Sequence, residues 1–314
     1  MSDLSDRNFG QMLEAQWAKG KFVCVGLDSE FGKIPGSARR SGHECKVHEG
    51  NTIVAFNRAI VEATGDIACA YKPNAAFYEA HGAEGIGALQ RTIEDIHTIA
   101  PDVPVILDFK RADIGNTNAG YVRFAFDSLR ADAVTVHPYL GAEALQPFLE
   151  RPEKGVIVLC RTSNPGAGEF QDPKIILTFE ELLHLVGDAD EADSLSRRYR
   201  WGGDYRMAMY QYVALRVSRH WNKKGNCALV VGATYPDELR EVRGLVGDMP
   251  ILIPGIGAQG GDVGMSVQAG KGSSGQGMII NSSRGIIFAS NREDFAQAAR
   301  RETKKLNDLI KQYR

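Results

Sequence analysis

The sequence predicts an α/β fold, a single (β/α)8 TIM barrel, from three observations. Eight short runs rich in Val and Ile are nearly continuous in hydrophobicity, as parallel strands buried on both faces require. Longer segments with helical spacing alternate with them. Acidic and basic residues stand where successive runs end, the functional mouth of a barrel. An open doubly wound sheet also alternates strand and helix. The count of eight favours closure, and no early strand-turn-helix carries the G-x-G-x-x-G of a dinucleotide site.

The predicted strands are Phe22–Asp28, Ala68–Asn74, Pro104–Lys110, Ala133–Leu140, Gly155–Ser163, Cys227–Ala233, Ile251–Ala258 and Gly277–Gly285. After the first, Asn51–Thr64 sets Ile53, Phe56, Ile60 and Thr64 on one helical face, with Gly65 as its stop. Ile86–Ala100 repeats Ile86, Leu89, Ile93, Ile96 and Ile99 before Pro101. Thr117–Leu129 and Gly141–Glu150 continue the alternation. Glu293–Arg314 reads as a charged surface helix with Phe295, Leu306, Leu309 and Ile310 to bury.

Two connections are long. Ser29–Ile67 holds the polar Gly/His-rich stretch Gly32–Gly50, and Gly166–Asn226 runs for about sixty residues. The second contains a helical stretch, Tyr205–Trp221, and is expected to elaborate one βα unit at about 166–226 within a single domain spanning 1–314. Barrels of this kind commonly reach such a length as one unit.

Composition narrows the partners. With 37 basic against 39 acidic residues, a net charge of −2 gives no electrostatic reason for nucleic acid or a membrane surface. A small molecule is the expected ligand. No apolar run reaches the roughly 18 residues that a bilayer span needs. Asp3, Asp6, Arg7, Glu14 and Lys19 leave no apolar stretch for a secretory signal. Cys24, Cys45, Cys69, Cys160 and Cys227 are scattered and form no C-x-x-C, and four sit in or beside apolar runs. Reduced core thiols in a cytoplasmic protein are expected.

The third strand ends in Leu107-Asp108-Phe109-Lys110-Arg111-Ala112-Asp113. Strand alternation puts Asp108 and Lys110 on one side, and Asp113 lies just beyond in the loop. The second strand ends in Tyr71-Lys72-Pro73-Asn74 and the first in Gly26-Leu27-Asp28. Taken singly, Lys72 could snorkel to solvent and Asp-x-Lys could be a salt-bridged strand end. Three adjacent strands delivering charge to one rim point instead to a Lys–Asp–Lys–Asp array.

The seventh strand leads into Pro254-Gly255-Ile256-Gly257-Ala258-Gln259-Gly260-Gly261, whose glycines let backbone N–H groups approach an anion. The eighth offers Arg284, with a planar fork suited to phosphate oxygens. Phosphate sites in barrels recur after strands 7 and 8. Ser163 lies in a small, polar and glycine-rich stretch, Arg161 to Gln171, able to close over a ligand and hydrogen-bond an exposed heteroatom edge, with a plain mobile loop as the other reading. His137 is a strand-end histidine for which a supporting role is expected. No pair of histidines or cysteines has metal-ligand spacing, and no Ser-His-Asp set is legible.

These motifs together resemble the orotidine 5′-phosphate decarboxylase family in its longer bacterial-type branch. The carriers are Asp108 to Thr117, Ala70 to Asn74, Pro254 to Gly261 and Asn281-Ser282-Ser283-Arg284-Gly285. The resemblance implies a carboxy-lyase that needs no metal or cofactor, with Lys72, Asp108, Lys110 and Asp113 as the charged tetrad and Lys110 as proton donor. It also implies a homodimer in which Asp113 and Thr117 reach the partner's site. Asp28 is then expected at the ribose hydroxyls and Ser163 at the pyrimidine edge. Gln259 and Arg284, with Gly257 in the glycine loop, are expected at the phosphate. No residue of Gly166–Asn226 receives a role. Two other readings stand beside this one: a magnesium-dependent sugar-phosphate decarboxylase or aldolase of the same barrel group, and a non-catalytic phosphometabolite-binding barrel.

Overall fold

The computed structural model describes residues 7–39, 48–257 and 260–314. Among these residues the strands are β1 (Val23–Leu27), β2 (Ala70–Pro73), β3 (Ile106–Arg111), β4 (Ala133–Val136), β5 (Gly155–Arg161), β6 (Lys174–Leu177), β7 (Arg200–Trp201), β8 (Asp204–Ala208), β9 (Cys227–Val231), β10 (Ile251–Pro254) and β11 (Met278–Ser282). Eight of them form one parallel sheet in the order β2-β1-β11-β10-β9-β5-β4-β3. The end strands β2 and β3 meet through parallel bridges Tyr71–Val105 and Asn74–Asp108, which curl the sheet into a barrel. β1, β2, β4, β9 and β11 are buried throughout, and the apolar residues of the other barrel strands are buried except for the partly exposed Leu159 and Pro254.

The predicted strands are all present, but most are shorter at the carboxyl end. Asp28, Pro138–Leu140, Ser163, Ala233 and Ser283–Gly285 have left the ladder, and Asn74 keeps only its bridge to Asp108. Apolar patterning runs on past the last paired residue, as at the exposed Tyr139 and Leu140, and does not show where pairing stops. Helices cover the ring as expected, over Glu49–Thr64, Gly82–Ile99, Gly141–Leu149 and Phe295–Tyr313. The predicted Thr117–Leu129 helix is α-helical only over Gly115–Val122, and a wider π-type turn carries Arg123–Ser128.

An unforeseen helix, Phe9–Ala18, lies against the amino-terminal strand ends. Asn8 caps it by accepting from the Gln11 amide. Its Trp17 indole donates to the carbonyl of Met278, where β11 begins. Beside it Arg7 forms a fork onto Asp132, at 2.8 and 2.7 Å, and the same carboxylate accepts the Val105 amide at 2.8 Å. The Asp132 side chain is fully buried.

Between β5 and β9 the chain builds the antiparallel sheet β6-β8-β7 and the helices Phe179–Val186 and Ala189–Tyr199. A Thr178–Glu181 capping box opens the first, and Gly187 closes it in the left-handed conformation. The expected helix Tyr205–Trp221 is corrected here. Tyr205, Arg206 and Met207 pair antiparallel with β6, and the α-helix spans only Met209–Arg216 before a π-type turn. Strand pairing overrides local helical spacing there, because β6 needs a partner for its backbone groups. Leu182, Leu185, Leu195, Met207 and Leu215 belong to the same contiguous core as the barrel strands. Glu241, on the helix Pro236–Val246, accepts from the Tyr199 and Tyr210 hydroxyls and ties this segment to the barrel wall.

Breaking a buried ion pair by removing one partner costs about 3–5 kcal/mol. Asp132→Ala is therefore expected to lower unfolding free energy by about that amount in urea titration. A midpoint equal to that of the unaltered protein would contradict this assignment.

Candidate active site

A cavity of about 400 Å³ opens at the carboxyl ends of the barrel strands, within the usual range of small-ligand pockets. Asp28, Lys72, Asp108, Lys110, Ser163 and Arg284, all singled out from the sequence, line it. They stand on or just after five strands of the ring: Asp28 after β1, Lys72 on β2, Asp108 and Lys110 on β3, Ser163 after β5, Arg284 after β11.

Asp108 is the hub. Lys72 Nζ donates to its Oδ2 at 2.7 Å, and Lys110 Nζ to its Oδ1 at 2.5 Å. The Lys72 and Asp108 side chains are 5% and 8% exposed, whereas that of Lys110 is 49% exposed and reaches the open side of the cavity. Taking an ion out of water costs several kcal/mol, so a carboxylate this deep requires compensation. Burial pushes the Asp108 pKa up, but Lys72 and Lys110 outweigh it and hold the carboxyl well below the ordinary range. Burial likewise opposes the Lys72 charge, and Asp108, then Asp28, more than restore it. Both groups are ionised at neutral pH.

Two residues that line the cavity carry a buried acceptor without a donor among the described residues, Asp28 Oδ1 and Asn281 Oδ1. Such atoms are costly unless something donates to them. The loop of Asp28 is braced from behind. Ser29 donates to Asn57, whose amide donates to the Tyr78 hydroxyl and Thr92, and Tyr78 donates to the Leu27 carbonyl. Gly26 is required at its place in β1, since a Cβ there would lie 1.9 Å from Ser283 Oγ. Around the far rim, Gly255 takes φ +100°, a conformation open to glycine, and turns the chain after β10. Gly255 and Ile256 line the cavity, whereas Gly257, in the same turn, stands just outside the lining. Gln259 lies outside the described residues.

Asp113 and Thr117 do not line the cavity of their own chain. Asp113 Oδ1 instead accepts the Ile114 amide, at the head of the helix Gly115–Val122. His137 also stands outside the lining.

Sequence reasoning missed several lining residues. Asn74 and Asn281 sat inside the recognised motifs without a role. Thr135 is the one polar residue of β4, and its hydroxyl donates to Asp108 Oδ1 at 2.8 Å. Gln171 belongs to the long connection and accepts the Thr162 amide at 2.9 Å, pinning the loop after β5. Arg161, stacked 3.8 Å from the Tyr235 ring and paired with Asp172, holds the base of that loop.

Comparison with known proteins agrees with this arrangement. The profile of the Orotidine 5′-phosphate decarboxylase / HUMPS family matches residues 21–196. An orotidine 5′-phosphate decarboxylase of Ralstonia nicotianae is 44% identical over 98% of this chain and 99% of its own length. Among solved structures, the Leishmania donovani OMP decarboxylase superposes with a TM-score of 0.73 at 35% identity, covering 96% of this chain and 99% of that one. The UMP synthase of the same organism gives a TM-score of 0.75 at 36% identity, covering 98% of this chain and 56% of that longer one. By profile, sequence and architecture, this chain belongs to the orotidine 5′-phosphate decarboxylase family.

Proposed function

We propose that the chain converts orotidine 5′-phosphate to uridine 5′-phosphate and CO2, a step of pyrimidine nucleotide synthesis, without metal or organic cofactor. The observation that carries this reading is the Lys72–Asp108–Lys110 array, two ammonium groups on one buried carboxylate at a cavity mouth. The relatives named above supply the reaction.

Loss of CO2 breaks the bond between C6 of the pyrimidine and its carboxyl carbon and leaves the electron pair on C6. No adjacent carbonyl is placed to absorb that pair. The site must therefore offer fixed positive charge and a proton, and Lys110 supplies both: its ammonium stabilises the developing carbanion and then protonates it. The resulting amine regains its proton from solvent, to which the half-exposed Lys110 side chain has access. Asp108, beside the substrate carboxylate, disfavours the bound ground state, and stabilisation by the cation carries the larger share.

Asp28 Oδ1, an acceptor lacking a donor, suits the ribose hydroxyls. Ser163 suits the pyrimidine edge, and Arg284, with the glycine turn at Gly257 and with Gln259, the phosphate. Phosphate binding far from the reacting carbon can drive loop closure and orientation. A magnesium-dependent lyase on the same barrel would want a carboxylate on the second strand. This chain has Lys72 there, and an ammonium would repel the cation.

We read the working unit as a homodimer, with Asp113 and Thr117 completing the partner's site. In a single chain Ile114, Tyr139 and Leu140 are 60%, 87% and 45% exposed, an apolar rim beside Asp113 that a second copy would cover. We also read the whole chain as one barrel domain in which 166–226 elaborates a single βα unit, in line with its shared core. Cys24, Cys69, Cys160 and Cys227 are free and buried, which suits a reducing, cytoplasmic setting.

Adding orotidine 5′-phosphate to chelator-treated protein is expected to change the ultraviolet absorbance as the ring loses its carboxylate. Folded protein that leaves the spectrum unaltered would overturn the proposal. Lys110→Ala is expected to lose at least roughly 10²–10⁴-fold in kcat while still binding uridine 5′-phosphate, and turnover near the original would reject the proton-donor role. Mixing Asp113→Ala with Lys110→Ala subunits should return about one quarter of full activity, since half the dimers are hybrid and each hybrid has one intact site. Inactive mixtures of subunits shown to exchange would refute sharing.

A further inference from the structure

We infer that Thr135 is the positioning residue that aims the Lys110 ammonium; the inference rests on the reading of Lys110 as proton donor and goes one step behind it. Leu107 pairs with Val134 and Arg111 with Val136, so Asp108, Phe109 and Lys110 stand opposite Thr135 alone. A strand with surplus residues must bulge, and bulges re-aim side chains. Lys110 takes the strain, with φ +46°, a left-handed conformation that residues with a Cβ seldom adopt.

What holds this backbone is a closed circuit of hydrogen bonds. The Lys110 amide donates to Thr135 Oγ1 at 3.1 Å. An amide only donates, so the hydroxyl proton is free to point elsewhere, and it goes to Asp108 Oδ1 at 2.8 Å. The same carboxylate oxygen receives the Lys110 ammonium at 2.5 Å. Backbone, hydroxyl, carboxylate and ammonium thus form one ring through which Thr135 sees both ends of Lys110. On the outer side of the bulge, Phe109 packs edge-on against Tyr121 and Phe148, and the Arg111 guanidinium lies over its ring. The Arg111 guanidinium also donates to the Phe109 carbonyl at 2.8 Å, so the bulge is held on both sides and Thr135 supplies the link to the charged groups.

The hydroxyl is not there for packing. β4 is otherwise Ala133, Val134 and Val136, and valine has the shape of threonine. Thr135 is 1% exposed, so water has little access to replace it. Misplacement of a reacting group by about 1 Å costs roughly 10²-fold in rate. The carboxylate that Thr135 fixes is also the counter-ion of Lys72, so the circuit sets two of the three charges at once.

The test compares Thr135→Val, which keeps shape and loses the hydroxyl, with Thr135→Ser, which keeps the hydroxyl. Thr135→Val is expected to lose roughly 10²-fold in kcat while KM and affinity for uridine 5′-phosphate stay within a few fold. Thr135→Ser is expected to recover most of that loss. If Thr135→Val does not accumulate as folded protein, Thr135→Ala takes its place against Thr135→Ser. Normal kcat in the hydroxyl-free variant, equal impairment in Thr135→Ser, or a loss confined to KM would each overturn the inference. Lys110→Ala, run alongside, separates the levels: normal turnover there removes the donor reading itself. Normal turnover in Thr135→Val beside an inactive Lys110→Ala removes the Thr135 role alone.

Discussion

A carboxylate buried between two ammonium groups is the constraint around which the site is built. Asp108 could not stay ionised at its depth with one partner on the surface, because the cost of leaving water is several kcal/mol per ion. Its partners must come from the chain on either side. A parallel barrel provides that geometry, since every strand delivers its carboxyl end to the same rim. β2 brings Lys72, β3 brings Asp108 and Lys110 together, and β4 brings Thr135. Moving any of these one residue along its strand would turn the side chain to the opposite face.

The opposite end of the barrel has a second buried charge network with another task. Arg7 and Asp132 bind the first described residue to the start of β4 and to the backbone before β3. Its geometry is a closed fork with every oxygen of the carboxylate engaged. The network at the mouth differs in leaving Lys110 half in the open and Asp28 with an acceptor unserved.

Much of the fold was legible because buried parallel strands have an unmistakable composition, and eight of them limit the topology. Strand ends were less so, because pairing with the neighbouring strands decides where the ladder stops, and residues such as Tyr139 and Leu140, exposed beyond β4, prolong the apolar run. β8 was misread as helix because Tyr205–Ala208 has no signal of its own, and its pairing with β6 bridges a long separation along the chain. At the site, Lys72, Asp108, Lys110 and Asp28 stood out because charge at the end of an apolar run has few structural explanations. Thr135 did not stand out, since threonine is an ordinary strand former and its importance arises only across the ladder. Gln171 belonged to the loop read as able to close over a ligand, but nothing in its neighbours singled it out, because its contact with the Thr162 amide is set by how that loop folds back.

One further atom shares this neighbourhood. The Cys24 sulfur lies on β1 beneath the charges, and Lys72 alone would draw it toward the thiolate. Complete burial, reinforced by Asp28 and Asp108, wins and pushes the thiol up to about 12. Oxidants and alkylating agents attack the thiolate form, so this sulfur is chemically silent despite a cation nearby. The arrangement of signs that serves the lysines thus also passivates a nucleophile placed directly below them.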